Sequence, residues 1–280
     1  MAAEPQATVH QAAATGFDNA AAYDAHRPSY PARAVDGLLG NLGLGAPPAR
    51  VVDLAAGTGK FTELLAARGG GRFEVLAVEP LAKMREALAA KGLPGVTACG
   101  GVATAMDVAD GWADAVVAAQ SFHWFAHEEA LEEIHRVLKP GGKLGIIWNV
   151  EDYNQPEKWT TATRWEQELK EQILKLDPAG PPRFRDDKWW HVFDRQSRAA
   201  NPIFSTPVGE EKVPFQEWLT KDRLWDRVNT LSQVVTLQGE SKEAFRARFD
   251  NILRDGDGKW NAKGEVEFHG VAVYVWTASL

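Results

Sequence analysis

Cysteine is almost missing: Cys99 is the single one in 280 residues. Internal disulfides and a cysteine-built metal cluster are thereby excluded. No apolar run approaches the roughly 18 residues that a membrane-spanning helix needs. The stretch Met1 to Ala14 has neither basic residues nor an apolar segment, so it does not read as a secretory leader. Positive charge is in deficit, 31 Lys+Arg against 38 Asp+Glu, a formal net charge of −7. That balance sets up no field to gather nucleic acid or an anionic membrane. His123 and His127 stand four apart but lack the His-Glu-x-x-His pattern of a zinc site, so no metal is expected. Together these absences point to a soluble cytoplasmic protein acting on a small molecule. They leave oligomeric state open.

What remains is an ordinary globular composition, 45% hydrophobic and 25% charged, long enough to bury a core without staples. The first half alternates short apolar runs with helical patterns. Strands are expected at 50–54, 73–78, 96–99, 113–119 and 143–148. Helices are expected at 60–68, 81–91 and 127–138. Strands alternating with helices imply a parallel sheet with right-handed crossovers. The second half is aromatic: eight of the 11 tryptophans lie beyond residue 150. There Trp159, Ala162, Trp165, Leu169, Ile173 and Leu176, spaced by three or four, predict a long helix that Asp177–Pro182 breaks. Val266–Phe268 and Val271–Trp276 read as strand segments joined by a bulge or tight turn at His269-Gly270. The expected organisation is a disordered tail over 1–15 and a nucleotide-binding core over 16–150. A helical, aromatic insertion or lid over 151–205 follows, and 206–280 completes the sheet.

The chemistry concentrates in Val51-Val52-Asp53-Leu54-Ala55-Ala56-Gly57-Thr58-Gly59-Lys60-Phe61. A buried strand runs into a Gly-x-Gly turn and opens a helix, so backbone approaches a ligand closely and free N–H groups face it. Glu79 ends the second strand 20 residues after Gly59, where an acid accepts hydrogen bonds from both ribose hydroxyls. A dinucleotide fingerprint needs a third glycine, but Thr62 stands there. A phosphate loop needs glycine at Leu54 and Ser or Thr at Phe61, and has neither. S-adenosylmethionine, which carries no phosphate, fits Asp53, the two glycines and Glu79.

These motifs resemble those of class I S-adenosylmethionine-dependent methyltransferases of the type-11-like group. The resemblance covers about residues 17–150. It includes the glycine turn, Val78-Glu79-Pro80, Gln120-Ser121-Phe122-His123-Trp124, and Leu138-Lys139-Pro140-Gly141-Gly142-Lys143-Leu144. Tyr23-Asp24-Ala25-His26-Arg27-Pro28-Ser29-Tyr30-Pro31 is similar to the N-terminal segment of the trans-aconitate and related small-molecule methyltransferases. The resemblance implies a Rossmann-like α/β fold, a mostly parallel seven-stranded sheet with helices on both faces. It implies S-adenosyl-L-methionine held by Asp53, Ala55, Gly57, Thr58, Gly59, Glu79, Pro80, Val102, Ala103 and Gln120, with Tyr23 and Arg27 on an arm folded across it. Val102 stands where many relatives have an acid for the adenine amino group, so adenine recognition falls to backbone groups.

On the acceptor side the candidates are Tyr30, Phe122 and Trp124, with His123 as the best available base. If that segment is extended, only one of Phe122 and Trp124 faces the pocket. The absence of a convincing base, with the likeness to carboxylate-methylating enzymes, leans toward methyl ester formation. His127 and His135 read as structural. Trp189-Trp190 is a candidate lid, and Arg183, Arg185 and Arg195 read as surface partners of Asp186, Asp187 and Asp194. A cofactor binder without chemistry and an NAD-dependent oxidoreductase stand as alternatives.

Overall fold

The computed structural model describes residues 29–45, 48–176 and 182–280. The expected tail and the residues Tyr23 and Arg27 lie outside them. Five parallel strands form the heart of one sheet: β1 (Ala49–Leu54), β2 (Phe73–Val78), β3 (Val96–Cys99), β6 (Ala113–Ala119) and β7 (Leu138–Glu151). Gly101–Val102 and Ala105–Met106 form the small antiparallel hairpin β4–β5. The sheet order is β3-β2-β1-β6-β7-β9-β8, with β8 at Gly209–Thr220 and β9 at Glu265–Ala278. β9 pairs antiparallel with both β7 and β8, so β8 runs with the parallel set and β9 alone is reversed.

Helices cover both faces. On one side α1 (Ala32–Asn41) and α2 (Lys60–Gly69) bury Leu38, Phe61 and Leu65 against Val51, Val75 and Val117. On the other, α4 (Glu128–Val137) and α6 (His191–Arg198) bury Leu131, Ile134 and Phe193 against Val52, Val116 and Ile146. The alternation of these strand residues between faces follows from the two-residue repeat of a strand. α3 (Ala82–Ala90) follows β2. The late strands are long. β7, β8 and β9 outrun the parallel core and carry a third cluster, in which Trp165, Leu169, Phe249 and Phe268 are buried between α5 (Arg164–Leu174), α7 (Lys221–Val228) and α9 (Gly239–Asp255). Between α7 and α9 lies the short α8 (Ser232–Val235).

Three expectations change. The helix predicted from Trp159 begins only at Arg164. Thr163 caps it by accepting from Glu166 N at 3.4 Å while its hydroxyl donates to Glu166 Oε2 at 2.6 Å. Thr163 is thus the N-cap, a local signal that outweighs the apolar spacing. Trp159 instead stands edge-on to Phe184, with Lys212 Nζ 4.2 Å from its centroid. The strand at 143–148 reaches back to Leu138. Its pairing steps from Ala113↔Leu138 to Ala115↔Lys143, so Pro140-Gly141-Gly142 bulges within a strand rather than ending a helix. Third, β9 is continuous through His269-Gly270, which pair in register with Gln216 and Phe215. Gly270 is small because of packing: a Cβ there would lie 2.5 Å from Phe215 Cζ and 2.8 Å from Val150 O.

Gly270→Ala is therefore expected to destabilise the fold by about 1–3 kcal/mol, as overpacking does. Adding Phe215→Leu should recover part of that loss in urea unfolding. No recovery would place the obstacle at the Val150 carbonyl instead of the ring.

Candidate functional site

The chain reverses its winding between β1 and β6, so their carboxyl ends open a crevice, the usual ligand position in such sheets. Both strands leave in strained backbone. Ala55 follows β1 at φ 57° and Gln120 follows β6 at φ 59°. The left-handed region costs an L-residue roughly 1–2 kcal/mol. Such strain persists where surrounding structure enforces it, and it gathers at binding sites. Ala56 N is tied across to Val78 O at 3.1 Å, and Gln120 N to Ile147 O at 2.8 Å.

In the turn, Gly57 has φ 59° and Gly59 φ 85°. A Cβ on Gly59 would fall 2.0 Å from Leu88 Cδ1, so this glycine also lets α2 start against α3. A Cβ on Gly57 would meet no described atom within 4 Å; it would occupy the crevice itself. Thr58 is buried between them.

Two acids close the floor. Asp53 is fully buried; its Oδ2 accepts from Thr62 Oγ1 at 2.6 Å and its Oδ1 has no partner. Thr62, which breaks the dinucleotide fingerprint, is thus the hydroxyl that holds this carboxylate. Burial, with the charge of Glu79 adding to it, pushes the Asp53 carboxyl up to about 7. Glu79 is buried too, and burial raises it, opposed by hydrogen bonds and by Arg85. Its Oε2 accepts from Gly57 N at 2.8 Å and its Oε1 from Leu81 N at 2.8 Å. Each oxygen retains one lone-pair direction. Beside this acid, the β4–β5 hairpin brings Val102 and Ala103 to the end of β2, with Gly101 so close that a Cβ would lie 2.9 Å from Val78 Cγ1. Pro80 follows at the rim, half-buried.

Beyond β6, Phe122–Trp124 form a 3-10 turn instead of an extended segment. Phe122 is fully buried, stacked on Phe193 with centroids 5.6 Å apart. Trp124 is half-buried, its ring 5.3 Å from that of His123. Tyr30 is buried edge-on to Phe61 at 5.3 Å. His123 Nδ1 accepts a hydrogen bond from Trp148 Nε1 at 3.1 Å. Indole N–H only donates, so in the neutral imidazole the proton sits on Nε2. In that tautomer His123 donates from Nε2.

Two residues emerge that sequence reasoning passed over. Asn149, on β7, donates Nδ2 to Ser29 O at 3.0 Å while its buried Oδ1 has no partner, and its carbonyl accepts from Gln120 Nε2 at 2.8 Å. Arg85 clamps the end of β2 from α3, donating to Glu79 O at 2.8 Å. Neither lies in a glycine motif; only the pairing of β7 with β6, and the helix after β2, place them.

Elsewhere the aromatic and basic candidates find structural partners. Trp189 is buried with its ring 4.9 Å from Trp148, while Trp190 is exposed. Arg185 is buried, not at the surface, and donates to Asn154 Oδ1 at 3.0 Å. Arg195 pairs with Glu128, and Arg183 donates to Ser232 Oγ at 3.0 Å. His127 caps α4 and His135 bonds Ser279 Oγ at 2.8 Å. Among the described residues no group of three or more His, Cys, Asp or Glu side chains is arranged to hold a metal. A second concavity, about 750 Å³, lies on the outer strands between Trp159, Lys212, Gln216 and His269, at the opposite edge of the sheet from β2. No described helix is long and apolar enough to cross a membrane.

A methyltransferase-domain family model matches residues 52–146. The chain is 34% identical to an uncharacterised methyltransferase-like protein of Schizosaccharomyces pombe, over 83% of each. It is 35% identical to an uncharacterised methyltransferase of Mycobacterium bovis, over 87% of each. Among solved structures, a SAM-dependent methyltransferase of Aquifex aeolicus shares the fold at a TM-score of 0.50 and 17% identity, covering 94% of this chain and 100% of that one.

Asp53 holds its proton more tightly folded, at about 7, than at its ordinary 3.8. The folded state therefore gains at low pH, and that gain disappears as pH rises through 7. The ligand-free protein should unfold at lower urea near pH 8 than near pH 5, and Asp53→Asn should flatten the difference. An unchanged slope in the variant would place the titration elsewhere.

Proposed function

Because the chain belongs to the class I S-adenosylmethionine-dependent methyltransferases, we propose that it methylates a small molecule on a carboxylate oxygen, with the acceptor lying over the ends of β6 and β7. The cofactor fits the residues present. Asp53 Oδ1 and both oxygens of Glu79 are buried acceptors with capacity left over, and a Cβ on Gly57 would meet no described atom within 4 Å. Glu79 holds the ribose, Asp53 faces the amino acid part, and Ala55, Gly57, Thr58 and Gly59 supply backbone. Pro80, Val102 and Ala103 border the adenine, and Gln120 borders the methyl side.

When bound, this cofactor supplies a methyl group already activated by its sulfonium. The protein's own work is orientation and exclusion of water, and alignment alone contributes about 7–11 kcal/mol in a near-attack geometry. The hydrogen bond from Trp148 to His123 carries the acceptor assignment. A hydroxyl or thiol acceptor gains from a base, and His123 offers Nε2–H instead of a lone pair. A carboxylate needs no base, and a donor orients its second oxygen. Of the two acceptor-side rings, Trp124 is the one with exposed surface. The likeness of Tyr23–Pro31 to the trans-aconitate group supports the same class, and the net charge of −7 argues against a nucleic-acid acceptor.

The test uses cofactor labelled in its methyl group and a library of small acids. The expected product releases its label as methanol on mild alkaline treatment, as an ester does. At saturating cofactor its rate should stay flat across neutral pH. An alkali-stable product, or a rate that climbs with pH as a base deprotonates, would overturn the carboxylate reading.

A further inference from the structure

We propose that Arg85 is a positioning residue for ribose recognition: its guanidinium clamps the Glu79–Pro80 strand end through the Glu79 and Pro80 carbonyls and so holds a positive charge beside Glu79. This rests on the reading of Glu79 as the ribose acid.

Arg85 lies in the first turns of α3, and helical side chains lean toward the N-terminus. The lean brings Nη1 back to the carbonyls that precede the helix, Glu79 O at 2.8 Å and Pro80 O at 3.3 Å. The guanidinium also lies beside the junction after β3: a Cβ on Gly100 would sit 3.7 Å from Nη1, at ordinary contact distance. One cation thus ties the end of β2 to α3 and lies beside the end of β3.

The charge matters because of what Glu79 has to do. Gly57 N and Leu81 N each use one acceptor direction, one per oxygen. The two that remain suit a vicinal diol. Protonation would turn one oxygen into a donor and spoil the match. Three elements face this carboxylate. From β1 comes Asp53, whose own carboxyl burial pushes up to about 7, with the Glu79 charge adding to the effect. From β3 comes Cys99, whose carbonyl accepts from Glu79 N at 3.0 Å and whose thiol burial pushes up. From α3 comes Arg85, the one cation acting on Glu79 among the described residues. Without it, the Glu79 carboxylate would rest on its two backbone amides alone, beside a second buried acid.

The experiment titrates the full-length chain with S-adenosylhomocysteine and with its 2′-deoxyribose analogue by calorimetry, from mildly acidic to mildly basic pH. Arg85→Met should weaken the ribose ligand about tenfold at neutral pH and more at acidic pH. It should also shrink the preference for ribose over deoxyribose. Arg85→Lys, which keeps the charge, should restore part of both. In a Glu79→Gln background, Arg85→Met should have little further effect on ribose preference. Equal losses for both ligands with an unshifted pH profile would make Arg85 merely structural and overturn the proposal. Wild-type affinity in Arg85→Met would overturn it too. If the wild-type chain binds neither ligand, the reading of Glu79 itself fails, a result distinguishable from failure of Arg85 alone.

Discussion

Two carboxylates buried side by side at the ends of adjacent parallel strands are the constraint around which the site is arranged. Removing charges from water is costly unless partners replace it. Asp53 has one hydroxyl; Glu79 has two backbone amides and a guanidinium at one remove. Both are held back from ionising by burial. A cationic ligand with a ribose diol supplies what the two lack: positive charge for the pair and donors for the open lone pairs. The ligand-free protein therefore carries a cost that the cofactor would remove on the proposed reading of these two acids. The strained turns at Ala55 and Gln120 are of the same kind, local costs maintained by the strand pairing on either side.

The same arrangement explains the glycines. Gly59 serves the fold, since a side chain there meets α3, whereas a side chain on Gly57 meets no described atom and the proposed ligand role remains for it. Sequence alone does not separate these roles. On the acceptor side, the contact between Trp148 and His123 occupies Nδ1 and so fixes the proton of a neutral imidazole on Nε2. That contact spans two strands, so no local pattern reveals it.

Legibility followed the range of the interaction. The glycine turn, the acid after β2 and the alternating strands of the first half are local patterns, and the parallel core and its crevice were readable from them. The later half depends on distant partners. Gly270 looked like a turn until Phe215, 55 residues away, stood against it. Trp159 kept helical spacing yet sits outside the helix, because Thr163 caps it with Glu166. Arg185 looked like a surface charge beside acids and is instead buried on Asn154. Arg85, six residues past the acid on a helix that reads as plain amphipathic surface, had no motif to announce it.

The most direct measurement is a crystal structure of the full chain with S-adenosylhomocysteine. The two ribose hydroxyls should be found on Glu79 Oε1 and Oε2, with the ligand's ammonium on the side of Asp53 Oδ1. A ligand seated away from the β1 turn, or a ribose that leaves Glu79 bonded only to Gly57 N and Leu81 N, would contradict the account.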